Sequence, residues 1–175
     1  MGHVVVVQPI HEWKKEKGLT NYYVFSTDLW EKEVPFSVSL EKPLEELNIQ
    51  EKYLLVKIVT KEINWVENNK EMLIDALVDD GMLELAEDWV SGAQEVEGKE
   101  ACYEVENGQQ VQLPISKKDF AGSLFFNSLG ITFDADLADF SMTMYLECSP
   151  DYFAYHAINV SYNANHEIEV DGLCG

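Results

Sequence analysis

The chain has 175 residues, 46% hydrophobic and 11% aromatic, with 12 lysines, 32 acids and no arginine, for a net charge of −20 at pH 7. That apolar content suits one α+β domain spanning 1–175, able to bury roughly two thirds of its unfolded surface, and it excludes a largely disordered chain. The charge excludes direct nucleic-acid binding, which needs clustered cations to displace counterions, and docking onto an anionic membrane.

The N-terminal part, residues 1–40, reads as strands. Val4 to Val7 is a short β-branched run cut by Pro9. Tyr22 to Ser26 is rich in β-formers, and Val34, Phe36, Val38 and Leu40 alternate with smaller or polar residues. The two segments predict a hairpin with its turn near Asp28 to Glu33. Residues 43–90 read as helical. Pro43-Leu44-Glu45-Glu46 has the proline and acids of a first turn. Helical spacing then dominates from Glu51 to Asp80, Gly81 breaks it, and Met82 to Trp89 forms a shorter piece. Residues 91–108 read as a loop with a strand around Ala101 to Val105.

The C-terminal part, 114–175, holds a helix and a meander. Ser116 precedes Asp119 by three residues, a capping spacing, and predicts a helix through Phe120, Leu124 and Phe125 to about Asn127. Four alternating segments follow, carrying Ile131 and Phe133, then Met142, Met144 and Leu146, then Ile158, Val160 and Tyr162, then Ile168 and Val170. Each has one apolar face. Asn163-Ala164-Asn165-His166 suits a tight connection, with His166 in water. The expected architecture is an antiparallel meander with helices packed on one face.

The sequence shows no GxGxxG, GxSxG, HExxH or phosphate-loop pattern. Cys102, Cys148 and Cys174 are odd in number and widely spaced, which predicts three free thiols and a cytoplasmic protein. No secretion signal or membrane span is read at the start of the chain. Cys148, Asp151 and His156 lie close enough for a thiolate–imidazole site, and His156 and His166 together with Asp151 or Glu167 offer the ligand types of a metal site. Against both stands a structural role, with Asp151, Phe153 and His156 forming a turn in which Asp151 fixes the His156 ring. Asp134 and Asp136 lack the glycine and terminal glutamate of a calcium loop. No cofactor is implied. Trp13, Trp30, Trp65 and Trp89 are core candidates first, with Trp30, in a polar turn, also placed to anchor a partner.

The acid is uneven: residues 64–113 carry 2 lysines against 13 acids, net −11. If Leu73 and Leu77 face the core, Glu71, Asp75 and Asp79 face outward. Such a face either keeps the protein soluble or steers a basic protein partner.

The stretch Ser149-Pro150-Asp151-Tyr152-Phe153-Ala154-Tyr155-His156-Ala157-Ile158-Asn159-Val160 resembles the prokaryotic domain of unknown function 2262 family. Asp151, Phe153, His156, Ile158 and Val160 match its pattern, while Ala154 and Tyr155 stand where an aromatic and Gly are expected. Pro114 to Phe120, Leu129-Gly130-Ile131 and Val170-Asp171-Gly172 extend the resemblance over about residues 60–175. It implies an α+β fold and a bacterial source, and carries no activity. The leading expectation is a non-enzymatic protein-binding domain, such as a bacterial immunity protein against a basic toxin. The alternatives are a small-molecule-binding or sensor domain, and a metal-dependent enzyme using His156 and Asp151.

Overall fold

The structure is a computed structural model that describes residues 2–175. The first strands are β1 (Lys14–Lys15), β2 (Tyr22–Leu29) and β3 (Lys32–Ser39). The chain then leaves the sheet to form α1 (Ile49–Asn68), α2 (Lys70–Asp79) and α3 (Met82–Ser91). A separate three-stranded sheet follows, of β4 (Gln94–Glu95), β5 (Cys102–Glu104) and β6 (Gln110–Gln112). After α4 (Lys117–Ser123) come β7 (Leu124–Phe133), β8 (Phe140–Cys148), β9 (Ala157–Asn163) and β10 (Ile168–Cys174). The main sheet has seven strands in the order β1-β2-β3-β7-β8-β9-β10.

The expected meander is present as β7 to β10, antiparallel throughout. Its register aligns Ile131 with Met142 and Met142 with Tyr162, Leu129 with Met144 and Met144 with Val160, and Leu146 with Ile158. This puts the apolar set on one face, where a one-residue slip would turn every member to solvent. The N-terminal hairpin also forms, and it docks beside the meander through a parallel pairing of β3 with β7, Phe36 opposite Leu129 and Val38 opposite Ile131. Gly130 lies against Ser37 across this junction, at a distance with no room for a Cβ unless the Ser37 hydroxyl moves. Leu55, Val59 and Ile63 of α1, Leu73 and Leu77 of α2, and Ala86 and Val90 of α3 join Phe36, Met142, Met144 and Ile158 in one buried cluster. Each large aliphatic side chain so removed from water contributes about 1.5–3 kcal/mol.

The hairpin turn is two residues long. Trp30 and Glu31 both have left-handed backbone, φ 50° and 65°, matching the twist of the strands. Trp30 is half-buried: its indole N–H donates to the Val66 carbonyl at 3.3 Å, and its ring tilts onto Phe126 at 4.1 Å. Local packing therefore accounts for it, and it is no free anchor.

Several boundaries differ from the sequence expectation. Val4 to Val7 forms no strand. Val5 lies along α1, where the Asn64 side chain accepts its N–H at 2.6 Å and donates to its carbonyl at 3.0 Å, supplying both bonds a strand neighbour would. Pro43 opens only a short 3₁₀ turn at Leu44–Glu46. The α-helix begins after Asn48, which forms a reciprocal capping box with Glu51. The long helix is interrupted at Asn69, whose side-chain amide donates to the Trp65 carbonyl at 2.7 Å. The Ser116 cap is present, its hydroxyl accepting the Asp119 N–H at 3.0 Å. That helix ends at Ser123, however, and Leu124 to Asn127 belong to β7. Leu124 and Phe126 face the core while Phe125 and Asn127 point away, a period of two that the isolated apolar residues also matched at helical spacing.

Candidate functional site

The turn from Ser149 to His156 links β8 to β9. Asp151 builds it: one carboxylate oxygen accepts the Phe153 N–H at 3.3 Å and the other the Tyr155 N–H at 2.8 Å. These bonds hold Ala154 and Tyr155 in left-handed backbone, φ 48° and 67°. Glycine adopts that conformation without steric cost, whereas Ala154 and Tyr155 carry a Cβ into it. Phe153 anchors the turn from below, 1% exposed and edge-on to Trp89 at 6.1 Å. The Asp151–His156 pairing expected from sequence does not form. His156 Nδ1 donates instead toward the carbonyls of Phe153 and Ala154 at 2.9 and 3.1 Å, because the left-handed turn brings both oxygens under the ring. Its ring meets Trp89 edge-on at 5.2 Å.

This geometry gives the thiolate–imidazole idea no support. Cys148 is buried, and burial pushes its thiol up to about 12, with the nearby Asp151 and Glu147 charges adding to the effect. A thiol so placed stays protonated at neutral pH and is a poor nucleophile. Among the described residues no group of three or more His, Cys, Asp or Glu is arranged to hold a metal ion. All three cysteines are unpaired.

The face of α2 is as the spacing predicts. Glu71, Asp75 and Asp79 are exposed while Leu73 and Leu77 are buried. Lys117 forms an ion pair with Asp75. That hydrogen bond, then the Asp75 charge and the fields of Asp79 and Glu71, raises the lysine's pKa.

A polar cluster that sequence reading missed lies within the core. Glu62 of α1 is 1% exposed. Its Oε2 accepts the Tyr162 hydroxyl at 3.1 Å and lies 2.7 Å from His166 Nε2. His166, expected in water, is half-buried and stacks flat on Trp65 at 4.3 Å. Burial, then the Glu62 charge, raises the Tyr162 pKa. A signal existed: Glu62 falls between Val59, Ile63 and Val66 on a helix face otherwise apolar.

Fold and composition together define an acidic α+β domain. The chain belongs to the family described as "Uncharacterized protein conserved in bacteria (DUF2262)", which matches residues 19–173. The match takes in the N-terminal hairpin as well as the meander, in keeping with their common sheet. No curated protein and no solved structure matches the chain. Among the described residues no helix is long and apolar enough to cross a membrane.

Proposed function

We propose that the protein is a non-enzymatic binding domain whose acidic surface docks a basic protein. The observation that supports this is the exposed face of α2, where Glu71, Asp75 and Asp79 stand on successive turns. That face already attracts an ammonium group, since Lys117 pairs with Asp75 and also feels Asp79 and Glu71. A lysine or arginine from a partner, arriving over Glu71 or Asp79, meets the same field. The net charge of −20 steers a positively charged protein toward the encounter, and salt screens that steering. In its specific form the reading makes the protein a bacterial immunity protein covering the basic surface of a toxin, and a toxin gene beside its own is the expected neighbour.

The experiment is recovery of the partner from the native host, followed by affinity measurement at two ionic strengths. Affinity should fall steeply with salt, and Glu71→Gln with Asp75→Asn and Asp79→Asn should weaken it about tenfold or more at low salt. A partner whose affinity and salt dependence ignore all three changes refutes the role of this face.

A further inference from the structure

The Ser149–His156 turn borders a surface cleft of about 470 Å³ that the acidic face of α2 does not include. Trp89, Asp88, Glu106, Asp151 and Tyr152 are among its lining residues, and no lysine is. From this chemistry we propose that the cleft receives an arginine side chain projecting from the basic partner. The inference rests on the partner-binding reading above and names the contact that would give it specificity.

Three independent features favour a guanidinium. The first is the indole. Trp89 is 37% exposed, and it is braced edge-on by Phe153 and by His156. Its orientation is therefore set before a ligand arrives, which lowers the ordering cost of binding. A planar cation stacks on such a surface.

The second is the end of α3. The helix closes at Gly92 with Asp88 in its last turn and no basic residue there. The C-terminal end of a helix carries partial negative charge and ordinarily attracts a cation. Here the chain places a carboxylate at that end instead, and neither Asp88 nor Glu106 forms an ion pair among the described residues. A cation from outside would relieve this repulsion.

The third is Asp151, which is 9% exposed and lines the cleft. Each of its oxygens accepts one backbone N–H from the turn. A carboxylate offers about four acceptor sites in all, so acceptor capacity is left for a ligand. A guanidinium has a fork of donors suited to several carboxylates at once, whereas an ammonium is a point charge. The chain contains no arginine of its own to compete for the site.

The test titrates the whole protein with the peptide acetyl-Gly-Ser-Arg-Ser-Gly-amide and with its citrulline and lysine counterparts, reading tryptophan fluorescence and backbone amide shifts. The arginine peptide should saturate, with shifts concentrated at Trp89, Glu106 and Tyr155. Citrulline, which keeps the shape and loses the charge, should bind about tenfold or more weakly, with lysine between them. Asp88→Asn and Glu106→Gln are changes at exposed positions that should leave folding intact. Together they should weaken the arginine peptide by about tenfold. Equal binding of citrulline, shifts located elsewhere, or indifference to the paired substitution overturns the proposal. Tighter binding of free choline than of the arginine peptide also overturns it, by assigning the cleft to a small cation. Failure here is separable from failure of the functional reading. A partner whose salt-sensitive affinity drops on the α2 changes, alongside a null peptide titration, refutes the cleft and leaves the acidic face in place.

Discussion

Replacing Tyr162 with phenylalanine removes one oxygen from the core and leaves the ring where it stands. The lost oxygen donates to Glu62 Oε2 at 3.1 Å, and Glu62 is 1% exposed. A hydrogen bond to a charged acceptor contributes about 1.5–3 kcal/mol. Because His166 Nε2 still lies 2.7 Å from the same oxygen, the carboxylate is not left bare. The expected loss therefore falls in the lower half of that range, about 1.5–2 kcal/mol. For a chain of this length each kcal/mol moves the melting temperature by about 2–4 °C, so Tyr162→Phe should melt about 3–8 °C lower. Urea unfolding followed by fluorescence measures this directly, since Trp65 stacks on His166 beside the cluster. Glu62→Met should cost more than Tyr162→Phe, because it strands both the hydroxyl and the imidazole. The double variant should lose less than the sum of the two single changes, as expected for residues that share one bond. A Tyr162→Phe protein within about 0.5 kcal/mol of wild type, or strict additivity in the double variant, refutes the assignment of the cluster as a stabilising network.

Alkaline pH tests the buried thiol. The Cys148 pKa is pushed by burial from 9.0 to about 12, and that of Tyr152, also by burial, from 10.0 to about 12. Both folded values lie above the unfolded ones, so the stability they contribute is complete below pH about 9 and declines from there toward pH 12. Cys148→Ala should flatten the first part of that decline, and at pH 8 iodoacetamide should modify the half-buried Cys174 while sparing Cys148; rapid alkylation of native Cys148 would contradict the burial argument. His156→Ala removes the ring bond to the Phe153 and Ala154 carbonyls and should lower stability by about 1–2 kcal/mol without affecting any metal content. Wild-type stability in that variant, measured by denaturant titration, would leave the turn resting on Asp151 and Phe153 alone.

Much of the fold was legible because its signals are local. Richness in β-formers marked β2, period-two alternation marked β3, the second half of β7 and the strands β8 to β10, and Ser116 marked the start of α4. Helical spacing correctly turned Glu71, Asp75 and Asp79 outward. The turn residues Asp151, Phe153 and His156 were picked out, but not their partners. Asp151 bonds backbone N–H groups rather than the imidazole, which depends on the left-handed angles at Ala154 and Tyr155.

The sequence by itself determined which residues could be buried, where each strand alternates, and that the surface is acidic and lacks arginine. These follow from side-chain chemistry and from the 2.0 and 3.6 residue periods, which short windows contain. Tertiary structure decided the rest. It set the parallel docking of β3 on β7, the capture of Val5 by Asn64, the burial of Glu62 with Tyr162 and His166, and the cleft between α3 and the 149–156 turn. Each joins residues far apart in the chain, or far apart in their elements. A backbone group or a carboxylate accepts any suitable donor that packing delivers, so its own local sequence carries no record of which one arrives.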